Sequence, residues 1–130
     1  LLSFDTAAIP DGATITAVTV SVAYRSASGN PWGNPAGNTL VVDANSGCIG
    51  ACTIATTDWA AATSSSAVAQ ILAFSGGSQA STLFAAAGIA AINKTGRTQL
   101  RLRFSAEQTA TNHVWIDRGA AATLRVTYQP

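Results

Sequence analysis

Three stretches of this chain alternate apolar and polar residues with a period of two, and that alternation restricts the fold more than any other feature. In residues 14–25, Val18, Val20, Val22 and Tyr24 fall on one face and Thr19, Ser21 and Arg25 on the other. In residues 97–105, Leu100, Leu102 and Phe104 oppose Gln99, Arg101 and Arg103. In residues 123–128, Leu124, Val126 and Tyr128 oppose Thr123, Arg125 and Thr127. Successive side chains of a strand point to opposite faces. Each stretch therefore predicts a strand with one dry and one wet face, as in an antiparallel sandwich. Residues 39–43 and 113–117 read as shorter strands, and the first residues also look like a strand.

Breaks separate these strands. Pro10-Asp11-Gly12 has turn chemistry: proline presets φ and glycine accepts positive φ. Gly29 through Asn38 is a loop of Gly, Asn and Pro that neither a helix nor a central strand tolerates. Asn45-Ser46-Gly47 and Gly76-Gly77-Ser78 are further breaks. Thr57 or Asp58 could cap a turn over Trp59 to Ala62. Residues 85–92 could make two helical turns. Neither piece is long enough for crossover helices. With no internal repeat and no linker, the expected fold is a single all-β module over residues 1–130. It is an antiparallel, jelly-roll-like β-sandwich with one or two short helical turns.

Composition narrows the function classes. Charged residues make up 10% of the 130, against about 25% in ordinary globular proteins. Hydrophobic residues make up 48%, so the chain can build a core. A nearly uncharged polar surface has little repulsion to keep copies apart, which suits an outer-surface or self-associating protein. The net charge is +1 and the isoelectric point is near 8.0, without the basic stripe of a nucleic-acid binder. No apolar run approaches the roughly 20 residues of a membrane span. The chain opens on Leu1 and carries no signal peptide, and it reads as a processed segment of a longer secreted protein.

Cys48 and Cys52 stand in Cys-Ile-Gly-Ala-Cys, flanked by Gly47 and containing Gly50. Two thiols at this spacing can meet across a tight loop as a disulfide, which would fit an oxidising, extracellular or cell-surface compartment. Free thiols and a metal site are the alternatives. A zinc site would lack a fourth ligand, because only His113 remains.

The opening Leu2-Ser3-Phe4-Asp5-Thr6, followed by Ile9-Pro10-Asp11-Gly12-Ala13-Thr14-Ile15-Thr16, resembles the start of bacterial secreted β-sandwich modules of the DNRLRE-like type. So do Ala91-Ile92-Asn93-Lys94-Thr95-Gly96 with Gln99-Leu100-Arg101-Leu102-Arg103-Phe104, and the closing Leu124-Arg125-Val126-Thr127-Tyr128. The resemblance implies a jelly-roll-like sandwich attached to secreted enzymes, adhesins or wall proteins, some of whose relatives bind polysaccharides. Phe104-Ser105-Ala106-Glu107 departs from it by lacking the arginine of the Ser-Arg-Glu element, and residues 45–80 match poorly. Related modules usually place another strand before the Phe-Asp strand. Its removal, or its supply by a neighbouring chain, would leave an open sheet edge that invites pairing.

The chemistry-bearing residues point away from catalysis. His113 is the single histidine, and no serine sits in a nucleophile elbow. No spacing pairs the six carboxylates for glycoside hydrolysis. Asp5 and Asp11 flank one turn and are candidate Ca²⁺ ligands, or else shape that turn. Trp32, beside Asn30, Asn34 and Asn38, is a candidate sugar platform, or else caps the sandwich. Trp115 lies opposite Val114 and Ile116 and is exposed if those two point inward. Trp59 reads as a core plug. Arg101, Arg103 and Arg125 are candidates for one basic patch facing an acidic polysaccharide or a neighbour, or else solvated strand faces. Asn93-Lys94-Thr95 matches a glycosylation acceptor. The sequence thus predicts a non-catalytic structural or adhesive surface module without a cofactor, whose partners are copies of itself or neighbouring domains. The alternative is a carbohydrate-binding module using Trp32, Trp115 and the arginines.

Overall fold

A computed structural model describes residues 1–107, 111–117 and 121–130. The alternating stretches become strands β2 (Thr14–Ser28), β6 (Arg97–Phe104) and β8 (Thr123–Gln129). The shorter ones become β1 (Leu2–Asp5), β3 (Leu40–Ser46) and β7 (His113–Ile116). Two further strands, β4 (Ser65–Ile71) and β5 (Ser78–Ala80), lie in the middle of the chain, where the sequence shows no clean alternation. In β4 the reason is local. The ladder to β3 shifts between Val42 and Ala44, and Ala67 adopts φ of 53°, so exposure does not alternate along the strand.

The strands form two antiparallel sheets. The first has the order β1-β6-β3-β4. In the second, β2 is central: Ser21 pairs with Ala80 of β5 on one edge and with Thr123 of β8 on the other. β7 follows the β8 edge, where Tyr24 to Ser28 pair with Ile116 to His113 and the Asp117 N–H donates to the Ala23 carbonyl at 3.0 Å. The chain passes between sheets after β1, β2, β4, β5 and β6, the alternation expected of a jelly-roll-like sandwich. Val18, Val20 and Val22 of one sheet pack with Val42, Ile71 and Leu100 of the other in a single buried cluster.

One helical piece is shorter than the sequence suggests, and the other lies earlier in the chain. Helix α1 spans Ala86–Ala90, and a 3-10 turn spans Thr56–Trp59. Asp58 is inside that turn, accepting from the Ala55 N–H at 2.8 Å, rather than capping a helix after it. Trp59 is 57% exposed and does not plug the core. The segment carrying this turn lies over the outer face of the first sheet. Ile49 is fully buried there, with its N–H bonded to Gln99 Oε1 at 2.7 Å, so β3 is covered on both faces. The Cys48–Cys52 disulfide closes the start of this cover, with 5.1 Å between the Cα atoms.

One long side of the sandwich is sealed. Between β5 and α1, successive N–H groups bond alternately to the two sheets. Ser81 donates to Val20 and Phe84 to Val18 in the second sheet, and Thr82 to Gln70 and Ala85 to Val68 in the first, all at 2.8–3.0 Å. Phe84 closes the core beneath this seam, and Ile92 and Ala91 continue it.

Candidate functional site

The opposite long side is open. β1 covers only Arg97 to Leu100 of β6. The Ser105 N–H bonds to Thr39 and the Thr6 N–H to Gly96, which fixes the parity: odd residues of β6 face β3 and even residues face the β1 edge. The N–H and C=O groups of Leu102 and Phe104 therefore point along an edge with no strand beside it among the described residues. The β1 edge itself turns the backbone groups of Ser3 and Asp5 outward. On the second sheet, Val18 and Val20 give their carbonyls to Phe84 and Ser81. Their partners Val126 and Leu124 therefore turn their own backbone groups away from β2, to the open side.

Between these edges lie two apolar hollows. The larger, about 540 Å³, runs from Leu102 and Phe104 of β6 to Val114 and Ile116 of β7, with Arg103, Glu107 and Trp59 at its rim. The smaller, about 330 Å³, lies between Phe4 and Ile9 on one wall and Leu124, Val126 and Tyr128 on the other. Leu102, Phe104, Leu124 and Val126 all face inward, yet each stays half-buried because no described residue closes the side.

Above the larger hollow sits a buried charge cluster that sequence reasoning missed. Asp43 is fully buried on β3 opposite Arg101. Its Oδ2 accepts from Arg101 Nε and Nη2 at 3.0 and 2.9 Å and from Arg103 Nε at 2.9 Å. Its Oδ1 accepts from Arg103 Nη2 at 3.2 Å and from the Ala67 N–H at 2.8 Å. Burial pushes the Asp43 carboxyl up, but the bonds from Arg103, the Ala67 N–H and Arg101 outweigh it and hold it below its ordinary value of 3.8. Arg101 Nη1 also donates to the carbonyls of Trp59 and Ala61 at 2.7 and 2.8 Å, fastening the covering segment to the sheet. A signal was available, because an aspartate inside Leu40-Val41-Val42-Asp43-Ala44 needs a cationic partner.

The candidate sugar contacts do not converge. Arg101 and Arg103 are spent on Asp43 in the first sheet, whereas Arg125 is on β8 in the second, so the three do not make one patch. Trp32 is no exposed platform. It is half-buried, with ring centroids 5.5 Å from Phe104 and 5.7 Å from Phe74. Asn38 is buried and ties the loop together, its Oδ1 accepting from Ser105 and Ala106 and its Nδ2 donating to Pro31. Asn30 Oδ1 accepts from the Gly33 N–H, and Asn34 is exposed. Trp115 is 45% exposed on the outer face of β7, its ring edge-on to His113 at 4.2 Å.

Asp5 Oδ1 accepts from the Ala7 N–H at 3.1 Å, and the Asp11 carbonyl accepts from Lys94. Among the described residues no three His, Cys, Asp or Glu side chains gather as metal ligands, and no helix is long and apolar enough to cross a membrane. Compared with protein-family models, curated proteins and solved structures, the chain finds no match.

Proposed function

We propose that this module is a non-catalytic, extracellular structural or adhesive element that associates with copies of itself through the open side of its sandwich. One observation carries the reading: among the described residues, unpaired edges of both sheets flank apolar hollows on one side, while the other side is sealed. Free strand edges are templates for further strands, and the folds that avoid association cover or charge them. Low surface charge leaves little repulsion between copies. The disulfide suits the oxidising compartment of a surface protein.

The test is sedimentation velocity with electron microscopy over a concentration series. Wild type forms larger species or filaments as concentration rises. Ser3→Pro and Val126→Pro each delete an outward N–H without touching a ladder bond, and both remain dispersed. Thermal melts confirm that each variant folds. Wild type that stays a single particle at every concentration overturns the proposal.

A second reading, polysaccharide binding, is favoured by exposed Trp115 beside His113. Under it, Trp115→Ala abolishes retention in polysaccharide affinity gels at an unchanged melting temperature. Unchanged retention sinks it.

A further inference from the structure

We infer that the larger hollow is a receptor for an extended segment of a second polypeptide chain. That segment runs antiparallel to β6, places apolar side chains opposite Leu102 and Phe104, and carries a cation near its amino-terminal end. The inference rests on the open-side reading above and specifies what enters this part of it.

The backbone selects the class of ligand. Leu102 and Phe104 turn N–H and C=O groups outward at strand spacing, on the same edge of β6 that β1 covers only as far as Leu100. An extended main chain matches two such residues with hydrogen bonds at both. A helix has its backbone groups already satisfied, and a sugar has no groups at this repeat. Antiparallel is the direction of every ladder between strands in both sheets, including β1 on this same edge.

The hollow then dictates the side chains. Residues directly opposite in an antiparallel pair point to the same face. Leu102 and Phe104 face inward, so the residues opposite them enter the 540 Å³ hollow against Val114 and Ile116. The residue between them faces outward beside Arg103 and Trp59, where a polar residue fits. The required pattern is apolar-polar-apolar.

Charge sets the polarity of the occupant. Glu107 is exposed at the Phe104 end of the hollow, and no hydrogen bond or ion pair holds its carboxylate among the described residues. A strand antiparallel to β6 enters at that end with its amino terminus. A lysine or arginine there complements Glu107.

The probe is a short acetylated and amidated peptide, Lys-Thr-Val-Thr-Val-Thr, titrated into the intact protein while amide hydrogen exchange is followed by NMR. Exchange at Leu102 and Phe104 slows by about tenfold or more at saturation, as new backbone hydrogen bonds form there. N-methylation of both valines abolishes binding, because those amides face β6, while N-methylation of the intervening threonine leaves it intact. Glu107→Gln weakens the lysine peptide by about threefold, the scale of an exposed ion pair, and leaves a glutamine-for-lysine peptide unaffected.

Unchanged exchange at Leu102 and Phe104, or equal binding of the valine-methylated peptide, overturns the inference. Full protection at both amides in dilute free protein also overturns it, because the hollow is then filled within one molecule. The two readings fail separately. Assembly without peptide protection leaves open-side association standing and removes the receptor. Peptide protection in a protein that never associates does the reverse.

Discussion

The two long sides of this sandwich both carry inward-facing apolar side chains and end in opposite states. On the sealed side, the stretch from Ser81 to Ala85 stitches β4 to β2 with alternating backbone bonds, and Phe84 beneath it is buried. On the open side, Leu102, Phe104, Leu124 and Val126 follow the same inward pattern as Leu100, yet only Leu100 is fully buried. The difference is not in the alternation. It lies in whether a second layer of main chain crosses the gap, and short-range pattern does not encode that.

Truncation should expose the contrast most strongly. Phe84→Ala removes a buried ring from the sealed side and costs about 3–5 kcal/mol, whereas Leu124→Ala removes a half-buried side chain and costs about 1–2 kcal/mol. Urea denaturation measured at dilute concentration checks both. Equal losses would break the comparison, since they would mean that the open side is covered in solution.

Asp43→Asn comes next, at about 3 kcal/mol, because it leaves Arg101 and Arg103 partly buried beside a neutral amide. Arg103 lines the larger hollow, so this loss sharpens the comparison. Hydrogen exchange should rise at Arg101 and Arg103, whose amides bond across to β3, while the seam amides of Thr82 and Ala85 keep their protection. The same carboxylate gives an acid limit. Its folded pKa is lowered, so its contribution is fully present above its ordinary value of 3.8 and is lost as pH falls through the folded value below that. Wild-type melting temperature should hold from neutral pH to about 4 and drop below it, with a shallower drop in Asp43→Asn.

Much of this fold was legible in the sequence, and the limits of legibility are physical. β2, β6 and β8 announced themselves because apolar and polar residues alternate along each. β4 did not, since its bulge at Ala67 breaks the period and its outer edge is buried under Thr82 to Ala85. The spacing of Cys48 and Cys52 allowed a disulfide, free thiols or a metal site, and the disulfide is the one that forms. The arginines were misread for the opposite reason: Arg101 and Arg103 alternate as solvent-facing residues should, but a covering segment lies over that face and gives them Asp43, Trp59 and Ala61 as partners. The resemblance implies an open edge near the first strand only if a preceding strand is missing. The open edge along Leu102 and Phe104 needed the register, because only pairing shows where β1 stops covering β6.

Gly88→Ala probes the sealed side at smaller scale. A Cβ at Gly88 would lie 2.5 Å from Val68 Cβ, so α1 must lift from β4. The expected loss is about 2 kcal/mol by thermal unfolding, the scale of an overpacked contact. A neutral result would show that this seam yields as easily as the open side.

The smallest effect should carry the opposite sign. Ala67 holds φ at 53°, a left-handed conformation that an L-residue with a Cβ adopts at a cost of about 1–2 kcal/mol. The backbone is kept there because the Ala67 N–H must reach Asp43 Oδ1, through a bulge that lets β4 turn its far edge to the seam. Ala67→Gly removes the steric cost and adds about 0.5–1 kcal/mol of unfolded-chain entropy, leaving a net gain of about 0.5 kcal/mol. The gain should appear as a higher urea midpoint at an unchanged slope. A loss would mean that the Ala67 methyl packs favourably and that the strain at this bulge is smaller than its backbone angle implies.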